Sequence, residues 1–262
     1  MRFSPALLLP LLVAACATPA VERSPLAPAL RAEIYGAARP ATVATLVVVL
    51  HGDAGADHYR FAEAAARAIP GSVAVALLRP GYADAAGRTS PGERGAGTGD
   101  NYTPDRIAAV AETIARLRHR YDHARVVLVG DAGGAAVAAN LAGIRPALVD
   151  GLVLVGCPCT LPEWRRYMQR QAPGQPWAAT VASMDPLKTA GGLLPTLRAA
   201  VLVGADDKVT PVPFSRAYAE ALTLRGIATD YRIIPGKGHD LLGDPEVLAA
   251  TQRLAAALPK RI

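Results

Sequence analysis

One stretch constrains this chain more than any other: Val126-Val127-Leu128-Val129-Gly130-Asp131-Ala132-Gly133-Gly134-Ala135-Ala136. Its β-branched apolar run reads as a strand buried on both faces, the pattern of a parallel sheet covered by helices. The run passes without a spacer into a turn of small residues and then an Ala-rich helix. Gly133, Gly134, Ala135, Ala136 and Ala138 keep one face of that helix slim enough to approach the sheet closely. A tight strand–turn–helix reversal satisfies all of this, and it lifts one side chain, that of Ala132, above the edge of the sheet.

The rest of the chain supplies the sheet. Thr45 to Leu50, Ser72 to Leu78, Leu152 to Val155, Ala200 to Val203 and Asp230 to Ile234 read as further strands, and Ala32 to Tyr35 reads as a short edge strand. Helical segments alternate with them. One is capped by Asp57 and runs to Ala68. A second is opened by Thr103 and Pro104, with Ile107, Val110, Ile114 and Leu117 recurring on one face. A third starts near Pro213 and ends at Gly226. The last is opened by Asp244-Pro245, with Val247, Leu248, Leu254 and Leu258 inward. Strands alternating with helices predict an α/β fold: a mostly parallel central sheet with helices on both faces. The 262 residues, 51% of them apolar, suit one large domain of this kind or two small ones. The formal charge of +6 is carried by scattered arginines with no basic run, which argues against a nucleic-acid partner.

The chemistry-bearing residues fall around the central turn in a fixed order. Gly130 and Gly134 stand where the outer glycines of a G-x-S-x-G nucleophile elbow belong, with Ala132 at the nucleophile position. Upstream, Leu46 to Leu50 runs into His51-Gly52-Asp53. Downstream lie Gly204-Ala205-Asp206-Asp207-Lys208-Val209-Thr210-Pro211 and Gly236-Lys237-Gly238-His239-Asp240. Elbow, then acid, then histidine is the chain order of the α/β-hydrolases. From about Thr45 to the C-terminus the chain resembles that superfamily, and looks most like its small single-domain esterases and peptidase-like hydrolases. The resemblance implies a serine-hydrolase site acting on an acyl ester or amide bond. His239 would be the general base and Asp207 its orienting acid, with Asp206 the runner-up. The backbone N–H groups of Asp53 and Gly133 would form the oxyanion hole. The imidazole of His51 is read as a hydrogen-bonded histidine at a strand end.

Ala132 removes the nucleophile, and three accounts follow. The chain is a hydrolase lacking its serine, as an inactivated variant or a natural pseudoenzyme. Alternatively it is a non-catalytic, membrane-tethered ligand-binding protein. Or the register shifts by one and Asp131 serves as a carboxylate nucleophile, as in haloalkane dehalogenases and epoxide hydrolases. Against the last, Ala132 stands where those enzymes place a halide-binding tryptophan.

Arg79 to Thr103 is a long glycine-rich stretch leaving the C-terminal end of a strand, where open α/β sheets bind ligands. Tyr82 and Tyr102 are placed at the pocket mouth. Approximately 161–194 carries Trp164, Trp177, Met168 and Met184 in an irregular, Pro-interrupted segment, read as a small lid over an apolar pocket. His119 and His123 are read as surface residues. A one-residue spacer strains a Cys157–Cys159 disulfide, so two free, partly buried thiols are expected. No metal site is expected, because no second Cys/His pair stands at ligand spacing. Gly95, Gly97 and Gly99 lack the strand–helix setting of a dinucleotide fingerprint, and no cofactor is implied.

The N-terminus reads as a targeting segment. Arg2 precedes an apolar stretch, Ala6 to Ala15, too short to span a bilayer. Val13-Ala14-Ala15-Cys16 resembles the lipobox of bacterial lipoproteins, which implies cleavage after residue 15 and acylation of Cys16. Residues 16–31, rich in Pro and Ala, would tether a hydrolase domain spanning 32–262. Ala17 after the cysteine implies the outer membrane, on its periplasmic face. The expected partners are a small-molecule acyl substrate and, through the lipid, a membrane; the sequence leaves oligomeric state open.

Overall fold

The computed structural model describes residues 29–36, 39–55 and 58–259. The proposed leader, Cys16 and the Asp57 cap lie outside the described residues. In chain order the elements are β1 (Ala32–Tyr35), β2 (Thr45–Leu50), α1 (Tyr59–Ala68), β3 (Ser72–Leu77), α2 (Pro104–Arg120), β4 (Arg125–Asp131), α3 (Gly133–Ile144), β5 (Gly151–Val155), α4 (Leu161–Gln171), α5 (Pro186–Thr189), β6 (Arg198–Gly204), α6 (Val212–Leu224), β7 (Ala228–Ile234) and α7 (Pro245–Ala257). Short 3₁₀ turns link some of them.

The strands form one sheet in the order β1-β3-β2-β4-β5-β6-β7. Only β1 runs antiparallel, pairing with β3 at the edge. The central strands are apolar along their buried length because both faces are covered. Leu46, Val48 and Leu50 of β2 belong to the core on the side of α2, α3 and α6, whereas Val47 and Val49 belong to the core on the side of α1 and α7. The alternation is the period of two of a strand, sorted between two cores.

Helix starts follow local chemistry. The Asp244 carboxylate caps α7, accepting from the Glu246 N–H at 2.9 Å. Thr103 occupies the N-cap of α2 but its hydroxyl makes no capping bond; Pro104 at the first helical position sets the entry. The segment after Thr160 differs from its reading as irregular. Leu161–Gln171 is a regular helix, with Pro162 in its first turn, where the missing N–H costs nothing.

Two glycines let the sheet edge close. A β-carbon on Gly134 would stand 2.5 Å from the carbonyl oxygens of Leu50 and His51, so glycine lets α3 abut the end of β2. A β-carbon on Gly204 would stand 2.2 Å from the Gly238 carbonyl oxygen, so glycine lets the loop after β7 cross the end of β6. The chain leaves β2 for β3 on one side and returns to β4 on the other. The sheet order therefore reverses between β2 and β4, the place where open α/β sheets hold their ligands. This is the α/β-hydrolase fold.

Candidate active site

The turn after β4 is built around backbone strain. Ala132 has φ 46° and ψ −113°, and it is the one non-glycine residue with positive φ among those described. Such a conformation costs an L-residue about 1–3 kcal/mol and persists only where its surroundings impose it. Here the Ala132 N–H donates to the Val155 carbonyl at 2.8 Å, and the Ala132 carbonyl accepts from Ala135 and Ala136. The apex of the turn thus holds one side chain in place, and that side chain is a methyl. Asp131 is not at the apex. It ends β4 in register with Val155 of β5.

Ala132, Gly133, Asp53, Asp131 and His239 border one cavity of about 650 Å³ above the switch point. Behind His239 lies a locked carboxylate. Asp207 is buried, and its Oδ1 accepts the Val209 and Thr210 N–H groups at 2.8 Å each. Its Oδ2 accepts the Thr210 hydroxyl at 2.7 Å and stands 2.9 Å from His239 Nδ1. Thr210 Oγ1 is itself 3.1 Å from Nδ1. This network assigns the proton to Nδ1 and leaves Nε2 as the basic nitrogen. Asp206, the alternative acid, is exposed and ties its backbone N–H to the Lys237 carbonyl. Burial works to lower the His239 pKa, but the Asp207 bond and charge, with Asp131 beyond, raise it above 6.5. Burial likewise pushes Asp207 up, and the His239 and Thr210 interactions hold it below the usual carboxylate range.

A second network lies beneath the Asp53 side of the cavity. Arg79 is fully buried; its Nη1 donates to the Asp53 carboxylate at 2.8 Å and to the His51 carbonyl at 3.1 Å. The hydroxyls of Tyr82 and Tyr102 donate to the same carboxylate at 3.0 and 2.8 Å. Burial opposes ionisation of Asp53, but Arg79 and Tyr102 outweigh it and depress its pKa. The tyrosines are thus not at the pocket mouth. Tyr82 and Tyr102 are 2% and 0% exposed, Tyr102 as a wall of the cavity and Tyr82 behind it. The cause is Arg79: a buried cation needs a carboxylate and further acceptors, and satisfying it draws the 79–103 loop inward. His51 is a strand-end histidine, its Nδ1 on the Gly52 carbonyl at 2.8 Å and its Nε2 accepting the Arg79 N–H at 3.0 Å.

The remaining walls come from α4 and the chain after it. Trp164, Met168 and Trp177 border the cavity, the two indoles packed edge to face at 5.3 Å. Trp164 Nε1 donates to the Val209 carbonyl at 2.8 Å, and Tyr167 donates to Lys208 at 2.8 Å, so α4 also pins the turn that carries Asp207. Pro158, between two cysteines, forms part of the floor. Cys157 and Cys159 are joined in a disulfide, not left as thiols. The turn after Gly156 sets their Cα atoms 5.1 Å apart, inside the range a disulfide spans. Among the described residues no group of three or more His, Cys, Asp or Glu is disposed to hold a metal ion.

Three features escaped the sequence: the Arg79 guanidinium, the side chain of Asp53 and the Thr210 hydroxyl. The first had a signal, since an arginine directly after a fully apolar strand has no easy route to solvent.

The fold and site together define an α/β-hydrolase scaffold with a strained elbow and an acid–histidine pair. Solved structures agree on the fold. A monoacylglycerol lipase from Paleococcus ferrophilus superposes with a TM-score of 0.59 at 18% identity, covering 87% of this chain and 98% of that one. Esterase PE8 gives a TM-score of 0.59 at 20% identity over 88% and 100% of the two chains. The Pyrococcus furiosus esterase Pf2001 gives 0.64 at 13% identity over 82% and 83%. No protein-family model and no curated protein sequence matches the chain.

Proposed function

We propose that this chain is an esterase-type hydrolase scaffold that receives an acyl ester or amide in the 650 Å³ cavity and, with alanine at position 132, binds it without turning it over. The observation that carries this reading is Ala132 itself, held at φ 46° on the wall of the cavity that His239 and Asp207 serve. A strained apex has no structural use for a methyl; it suits a hydroxyl presented to a substrate. Restored to serine, the apex oxygen would attack the acyl carbon while His239 Nε2 takes its proton and Asp207 stabilises the imidazolium. The N–H groups of Asp53 and Gly133 would bind the developing oxyanion. Without the hydroxyl the loss in turnover is on the order of a million-fold. Cys16 acylation, cleavage after residue 15 and a tether over 16–31 would place the cavity at the periplasmic face of the outer membrane, with approximately 161–194 as its lid.

The test is Ala132→Ser. The variant is expected to hydrolyse short acyl esters and to be labelled by a fluorophosphonate, with both lost again in Ala132→Ser/His239→Ala. Failure of both hydrolysis and labelling ends the serine-hydrolase reading. An intact mass lacking the lipid on Cys16 ends the membrane-anchor reading and leaves the site untouched.

A further inference from the structure

On the outer side of Trp177 lies a second cavity of about 660 Å³, bordered by α4 and by the chain that leads into α5. It shares Trp177 with the inner cavity and none of the catalytic-type residues. Its chemistry is dominated by Arg165, which is 7% exposed. This guanidinium donates to three carbonyls: that of Thr98, that of Trp177 at 2.5 Å and that of Ala179 at 2.6 Å. No described carboxylate comes within ion-pair distance of it. Asp100 acts on it only through its field, its oxygens being held by the N–H groups of Ala96, Gly97 and Thr98.

A buried cation met only by neutral carbonyls is under-compensated, and arginine has five N–H donors where these bonds use three. The same cavity is bordered by the indole of Trp177, whose Nε1 has no partner among the described residues. Two more cations, Arg166 and Lys188, line it. Arg166 is paired on the surface with Glu163 at 2.8 Å. The one acid on the wall, Asp185, accepts the N–H groups of Leu161 and Leu187 at 3.2 Å, and burial raises its pKa. The rest of the wall is largely apolar, and Val181 and Met184 line it together with Trp177.

We propose that this outer cavity is a separate binding site for an amphipathic carboxylate, its head against Arg165 and Lys188 and its aliphatic chain along Trp177, Val181 and Met184. A carboxylate fits the planar edge of a guanidinium, and the apolar wall accommodates a chain. Because the site lies outside the inner cavity, it stands whether or not Ala132→Ser restores hydrolysis.

The probe is decanoate, titrated into the full chain below its micelle threshold and followed by calorimetry and tryptophan fluorescence. Decanol and decyltrimethylammonium serve as neutral and cationic matches. Decanoate is expected to bind at one site at least ten-fold more tightly than decanol, and the ammonium not at all. Lys188→Gln should weaken it several-fold and flatten its salt dependence. Val181→Trp, which fills the outer cavity, should abolish binding, whereas Met168→Trp, which fills the inner one, should leave it. Arg165→Lys should lose at least ten-fold with the circular dichroism unchanged; Lys188→Gln and Val181→Trp decide the matter if that variant fails to fold. Equal binding of decanoate and decanol overturns the proposal. So does binding that survives Val181→Trp or is lost in Met168→Trp.

Discussion

Replacing His58 by phenylalanine should change how this protein responds to acid. The imidazole of His58 is 0% exposed and packed against His51 at 4.9 Å and Tyr59 at 4.5 Å. Burial lowers its pKa from 6.5 to about 4, against a backbone hydrogen bond with Leu77 that raises it and with the Arg79 cation lowering it further. The fold therefore holds it neutral. Above pH 6.5 neither state carries the proton and stability is complete. As pH falls below 6.5 the unfolded chain takes up the proton and the folded one does not, so stability drops until about pH 4. Each pH unit in that window is about 1.4 kcal/mol, so the two units from 6.5 to 4.5 remove about 3 kcal/mol. Other groups titrate alike in wild type and variant, Asp185 with its raised pKa among them, so they cancel in the difference. His239 has a raised pKa, and its contribution is already complete once pH falls to 6.5. Asp53 and Asp207 have lowered pKa values and lose stability only as pH falls below 3.8. His51, lowered by burial like His58, acts equally in both proteins. Urea unfolding of wild type and His58→Phe at pH 7.5 and 4.5 measures the difference. The wild type should lose about 3 kcal/mol more than the variant, roughly a 1 M shift in midpoint for a chain of this size. Parallel losses in the two proteins would refute the reasoning.

Two further outcomes concern the inner cavity in the Ala132→Ser background. Adding Asp207→Asn keeps the shape but leaves His239 without its anionic partner, and kcat should fall by roughly 10³–10⁴-fold with KM little changed, as read from steady-state ester hydrolysis. The general base must be neutral to act, so activity should rise with pH through a pKa above 6.5. Asp131→Asn removes a charge that favours the imidazolium and should move that rise to lower pH; an unmoved profile would show that Asp131 does not act on the ring.

The legible part of the fold was the part written in local periodicity. The five strands from Thr45 to β6 were marked by apolar runs, because a strand covered on both faces can carry little else. Four glycine-flanked loops in hydrolase order were enough to place Ala132, Asp53, Asp207 and His239 at one edge of a sheet. Less legible was anything decided by pairing across the chain. Leu161–Gln171 carries charged residues on its outer face and looked irregular beside its prolines, yet it packs as a helix because Trp164 and Leu161 reach the core.

By itself, then, the sequence determined the architecture and the order of the site, since buried strands and tight turns impose residue types that cannot be disguised. Only the tertiary structure decided which polar groups meet. The Asp53 carboxylate accepts from Arg79 and from two tyrosine hydroxyls, because a buried guanidinium needs a carboxylate and that carboxylate's other lone pairs need donors. The strain at Ala132, the union of Cys157 with Cys159 and the lone charge of Arg165 are likewise properties of position. Each depends on what stands opposite, and distance along the chain does not encode that.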